Sequence, residues 1–153
     1  MKTIEQWLDE YGTHHKNPVN KIIHWICVPL IFFSVVGLLY SVKLPYVVFE
    51  FPLNLAVFAL VFVMLFYQKL SASLSFGMFM FSILCLYFCN MIEQHGHALW
   101  LVSIIIFLAA WILQFIGHKI EGQKPSFLDD LQFLLIGPAW LMSFIYKKFG
   151  IKY

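Results

Sequence analysis

Residues 17–40 read NPVNKIIHWICVPLIFFSVVGLLY. Asn17 is of a type that caps helices, and Pro18 suits the first helical position, where its missing N–H costs nothing. From Ile22 to Tyr40 the run is apolar apart from His24 and Ser34. A helix needs about 20 mostly apolar residues to cross a bilayer. The stretch therefore predicts a transmembrane helix with a capped, polar mouth, and His24 lies about two turns inside it.

Working outward, three more apolar runs predict spans: Tyr46 to Tyr67 with Glu50 near its entrance, Ala72 to Ile92, and Ala98 to Gly117. A fifth run, Leu131 to Tyr146, has 16 residues and contains Gly137-Pro138, so it suits a re-entrant or interfacial helix better than a full crossing. Ile4, Trp7, Leu8 and Tyr11 recur at helical spacing and predict an N-terminal amphipathic helix on the membrane surface. The expected fold is all-α: an integral membrane bundle of four strong spans, a short fifth helix that is re-entrant or spanning, and the amphipathic helix. It forms a single domain over residues 1–153.

Composition agrees with this. The chain is 61% hydrophobic and 12% charged, against roughly 45–50% and about 25% for a soluble domain. Intrinsic disorder is excluded. Nucleic-acid binding is disfavoured, because a net charge of +2 carried by lysines alone makes no basic stripe. Cys27, Cys85 and Cys89 lie inside apolar runs, are odd in number and form no CxxC pair, so they read as small packing groups. Residues 1–21 are polar and mixed in charge, unlike a signal peptide.

Lysines set the orientation. With the N-terminus cytoplasmic and four crossings, Lys2, Lys16, Lys21, Lys69, Lys119, Lys124, Lys147, Lys148 and Lys152 lie inside, and Lys43 outside. A fifth crossing would move Lys147, Lys148 and Lys152 outside. The rule thus favours four crossings with both termini cytoplasmic. No internal repeat suggests a transporter.

In so apolar a chain the ionisable residues near membrane depth are the informative ones. An even number of crossings places His14, His15, His24 and His118 on one side, and His95 and His97 on the other. Asn17, Asn20 and His24 share one helical face, as do Gln114, His118 and Glu121. Three imidazoles beside a carboxylate would suit Fe(II), Zn(II) or another first-row ion. Asn17, Asn20 and Gln114 are placed to orient the rings. Interfacial histidines that only bond headgroups or backbone are the bland alternative. His95 and His97 read as a solvated loop, Glu50 as a snorkelling side chain, and Asp129 and Asp130 as first-turn carboxylates favoured by a helix dipole. No nucleotide-binding or soluble-hydrolase motif occurs.

Two blocks carry a family resemblance. The first reads W-L-x-x-Y-G-x-x-H-x-N-P-x-N-x-x-I-H-W-x-C-V-P from Trp7 to Pro29. The second reads Q-F-I-G-H-K from Gln114 to Lys119, followed by Glu121, Lys124-Pro125, Leu128 and Asp129. Together they resemble the Mpo-type 2-hydroxy fatty acid dioxygenases, small multi-span proteins of the endoplasmic reticulum and of bacterial membranes. The resemblance implies an Fe(II)-dependent enzyme with His15, His24 and His118 as metal ligands and catalytic residues. It implies conversion of a 2-hydroxy fatty acid and O2 to the acid one carbon shorter and CO2, as in α-oxidation. The substrate supplies all the electrons that O2 needs, so no nucleotide cofactor is required. Asn17, Asn20, Gln114, Glu121 and Lys119 are then candidates for orienting ligands or substrate, with Lys119 or Lys21 steering the carboxylate. The competing readings are a non-enzymatic lipid-binding or assembly protein and a different metalloenzyme, such as a zinc hydrolase. The expected setting is a bacterial inner membrane or the endoplasmic reticulum.

Overall fold

The computed structural model describes residues 2–13, 15–48, 51–122 and 132–153. Its elements run α1 (Ile4–Thr13), α2 (Pro18–Tyr40), β1 (Lys43–Val48), β2 (Phe51–Asn54), α3 (Leu55–Leu70), α4 (Ala72–Gln94), α5 (Leu99–Glu121) and α6 (Phe133–Lys148). Expectations that concern His14, Glu50, Lys124, Asp129 and Asp130 fall outside the described residues.

Side-chain caps set several boundaries. Asn17 Oδ1 accepts from the N–H groups of Val19 and Asn20 at 2.9 and 3.4 Å, so α2 starts where its sequence asks. Asn54 caps α3 through Val57 N–H, and Ser71 caps α4 through Leu74 N–H. Gly122, at φ 75°, ends α5 in the left-handed conformation that glycine adopts without strain.

Among the described residues, α2, α4 and α5 are long and apolar enough to cross a membrane. Only 33%, 39% and 22% of their respective apolar windows is buried inside the protein. Ile22, Phe62, Phe76, Ile105 and Ile112 are instead among the large side chains on the outside. Apolar surface of that extent suits lipid, not water.

The second expected span is corrected. Its helix begins at Leu55, not Tyr46, and has 16 residues. The preceding stretch is an antiparallel hairpin with Lys43 opposite Asn54 and Val48 opposite Phe51. Pro45 and Pro52 cannot donate to a helical ladder, and the Val47-Val48 pair favours extended backbone. The described residues are therefore helical with one small β-hairpin.

The N-terminal helix also departs from expectation. The stripe of Ile4, Trp7, Leu8 and Tyr11 does not face outward; it is buried in a cluster with Phe133, Ile136, Trp140 and Leu141 of α6. Trp7 meets Phe133 edge-on at 5.6 Å between ring centroids. In turn α6, a continuous helix with Pro138 inside it, is buried from Ile136 through Leu141. Tyr67 of α3 donates its hydroxyl to the Leu135 carbonyl of α6 at 2.6 Å.

The antiparallel pair α2 and α5 forms the spine of the bundle. Small residues let the two helices approach closely: Gly37 faces Ser103 near one end, and Gly117 faces Asn20 and Ile23 near the other. The second contact brings the mouth of α2 against the last turn of α5.

Candidate metal centre

His15 leaves the linker between α1 and α2, His24 projects from the second turn of α2, and His118 from the last turn of α5. All three are buried, at 1%, 1% and 5% exposure. Their ring centroids lie 4.2 Å (His15–His24), 5.0 Å (His24–His118) and 5.4 Å (His15–His118) apart. One nitrogen from each ring falls within 4.8 Å of the others.

Main-chain carbonyls decide the tautomers of two rings. His15 Nδ1 donates to Tyr11 O at 2.7 Å, and His24 Nδ1 donates to Asn20 O at 2.9 Å. A carbonyl only accepts, so both rings carry their proton on Nδ1. Their Nε2 atoms then meet at 2.9 Å, each with a lone pair. Two lone pairs so close repel unless a cation sits between them. Nitrogens bound at about 2.1 Å to one ion, at right angles, are about 3.0 Å apart. The donor set therefore fits a first-row metal, in the arrangement where a ligating imidazole donates its other N–H to a carbonyl.

Glu121 plays a different part. Its Oε1 accepts from the N–H of Lys16 at 2.8 Å, and its Oε2 accepts from the N–H of Asn17 at 2.9 Å and from Asn20 Nδ2 at 3.0 Å. These bonds staple the His15 linker and the start of α2 to the end of α5. Asn17 caps α2. Asn20 joins Glu121 by its side chain and His24 by its carbonyl, while its Oδ1 occupies the space that a Cβ at position 117 would need. Lys119 is exposed and lines neither cavity that touches the histidines.

A cavity of about 360 Å³ opens from the cluster. Its head is lined by His24, His118, Gln114 and Tyr11, and its body by Val28, Ile31, Val35, Phe107, Trp111 and Leu135 among other apolar side chains. Gln114 is 5% exposed, and its Oε1 has no hydrogen-bond partner among the described residues. On the other side of His15 lies a polar cleft of about 320 Å³ lined in part by Asp9, Lys16, Lys21, Ser143 and Lys147.

In the sequence Tyr11 is part of an amphipathic stripe and of a motif; in the structure it belongs to the site. Its ring stacks on His15 at 4.3 Å and 15°, its carbonyl holds the His15 proton, and its side chain lines the groove. Burial pushes its phenol up, so it stays protonated. The sequence signal was the Tyr11-Gly12 pair four residues ahead of His15. His95 and His97 lie in the exposed turn after α4, away from this cluster.

Fold and site thus define a helical, membrane-type protein with a buried tri-histidine cluster at the head of an apolar groove. Sequence comparison gives the family. A profile described as 2-hydroxy-palmitic acid dioxygenase Mpo1-like matches residues 1–149, and the chain belongs to that family. It is 31% identical over 147 residues to the 2-hydroxy-palmitic acid dioxygenase MPO1 of Saccharomyces cerevisiae, across 94% of this chain and 80% of the yeast protein. No solved structure matches.

Proposed function

We propose that this protein is an Fe(II)-dependent dioxygenase that converts a 2-hydroxy fatty acid and O2 to the fatty acid one carbon shorter, CO2 and water. The observation that carries the reading is the convergence of His15, His24 and His118 at the head of an apolar groove. The name of the yeast relative supports the reaction class. His15, His24 and His118 would hold the metal, and three protein ligands would be few enough for substrate to bind beside them. Bound Fe(II) would supply a Lewis-acid centre for the α-hydroxy acid and a path for the substrate's electrons to O2.

The protein's own groups do the rest. Tyr11 and Asn20 carbonyls keep the ring protons on Nδ1, so the ligating nitrogens stay basic. Glu121 holds the His15 linker to α5 and is a positioning residue. Gln114 offers its unpartnered Oε1 to the substrate's 2-hydroxyl, and Tyr11 offers its phenol O–H to the carboxylate. The groove takes the acyl chain and excludes water. Lys21 in the polar cleft and exposed Lys119 draw anions to this side of the membrane.

The chain sits as one domain in a bacterial inner membrane or the endoplasmic reticulum. It crosses four times, through α2, α3, α4 and α5, with both termini cytoplasmic and α6 held inside without crossing. The α3 helix, at about 24 Å, is shorter than a hydrocarbon core of about 30 Å.

The deciding experiment is metal content of protein purified in detergent without oxygen or chelators, followed by turnover of 2-hydroxypalmitate. About one iron per chain and equal consumption of O2 and release of CO2 are expected. One zinc with oxygen-independent hydrolysis would replace this reading with a zinc hydrolase. No metal in folded protein would leave a lipid-binding protein.

A further inference from the structure

The groove has a direction and an end. On α2, His24, Val28, Ile31, Val35 and Leu39 line it in sequence. These positions recur at three and four residues, so the groove follows one face of the helix. From His24 to Leu39, at 1.5 Å per residue, it runs for about 22 Å. The neighbouring helix α3 starts level with the far end, because Leu55 N–H donates to Val42 O at 3.0 Å and Lys43 pairs with Asn54. The first α3 side chains to reach the groove are Ala56 and Ala59, followed by Leu60. At the end remote from the histidines, the wall on α3 thus carries two methyl groups where larger side chains would fill the space.

We propose that Ala56 and Ala59 set the acyl length that this protein accepts. This rests on the reading of the groove as an acyl site. With C–C bonds of about 1.5 Å, an extended alkyl chain advances about 1.25 Å per carbon, so about 22 Å holds about 18 carbons. The groove therefore measures 2-hydroxy acids of about 16 to 18 carbons from a head fixed at the histidines. Ala59 is the position to vary, since it is only part-buried whereas Ala56 is fully enclosed. A larger side chain there shortens the groove and leaves the head untouched.

The test is anaerobic binding of saturated 2-hydroxy acids from 10 to about 22 carbons to the purified protein in detergent, with no turnover to confuse the readout and with every affinity referred to the free aqueous acid after correction for uptake by micelles. For the natural protein, affinity should climb by about fourfold per methylene and stop climbing at about 16 to 18 carbons. In Ala59→Phe the plateau should fall by at least two carbons, with about 15-fold weaker binding of the longest acids and unchanged binding of the shortest. Ala59→Val should give a smaller shift in the same direction and serves if the Phe variant does not fold. Ala109→Phe, on an exposed face of α5, should change nothing. A plateau that does not move in a folded Ala59 variant overturns the proposal, as does a flat chain-length profile in the natural protein. Chain-length-dependent binding without any O2-dependent turnover would instead overturn the enzymatic reading and leave the measuring groove in place.

Discussion

His15 and His24 approach through their Nε2 atoms at 2.9 Å, while each ring's Nδ1 is bonded to a main-chain carbonyl. While both rings are neutral, neither can donate to the other, and only an added proton or a metal ion between them makes the contact favourable. A bound cation turns that repulsion into attraction. Chelator treatment is therefore expected to destabilise the protein, not merely silence it. A ligand present at about 100 times its Kd contributes about 2.7 kcal/mol. Thermal unfolding in detergent, before and after stripping and after re-addition of Fe(II), checks this; identical curves would count against a metal in the site.

His24→Ala is expected to lose both metal and turnover, because it removes one of the two nitrogens whose lone pairs converge. His97→Ala, in the exposed turn after α4, should keep both. Metal analysis of the two variants separates the cluster from a general histidine effect.

Glu121 distinguishes a staple from a ligand. In Glu121→Gln one acceptor oxygen is replaced by an amide that must face N–H donors from Lys16, Asn17 and Asn20. Stability should fall by about 1–3 kcal/mol, and metal affinity by about 10–100-fold. Total loss of metal with undiminished stability would instead make Glu121 a ligand.

Gly117 and Asn20 should be coupled. A Cβ at position 117 would overlap Asn20 Oδ1, and that residue holds both Glu121 and the His24 proton. Gly117→Ala is expected to weaken metal binding by about 10-fold or more. In Asn20→Ala the obstructing oxygen is gone, so adding Gly117→Ala should cost little further. Additive losses in this double-mutant cycle would refute the coupling.

Gln114 should show opposed effects on stability and function. Its buried Oε1 has no partner among the described residues, and an unsatisfied buried acceptor costs about 1–3 kcal/mol. Gln114→Leu should leave the protein as stable or more so, while KM for a 2-hydroxy acid rises and discrimination against the unhydroxylated acid falls. A destabilised variant with unchanged KM would assign Gln114 to packing alone.

Much of this was readable without coordinates. Asn17-Pro18 announced the start of α2, and the cap formed there. The parity of apolar runs put His15, His24 and His118 on one side, and the three rings do come together. The run from Tyr46 misled because hydropathy counts apolar residues without asking whether Pro45 and Pro52 permit a helix. The stripe from Ile4 to Tyr11 was legible as a stripe, but periodicity does not say what covers it. Whether lipid or α6 does so depends on residues more than a hundred positions away.

The sequence by itself determined the class of protein: the apolar helices, their caps, the family motifs and the side on which the histidines collect. These follow from local composition, spacing and short-range hydrogen bonding. Only the tertiary structure decided which nitrogen each of His15 and His24 presents, that Glu121 is engaged by three donors, that Tyr11 backs His15, and that a single groove leads from the cluster along α2. Those relations join α1, α2, α3, α5 and α6 across long separations in sequence. Helix packing and the sharing of main-chain donors and acceptors set them, and no periodicity within one segment encodes either.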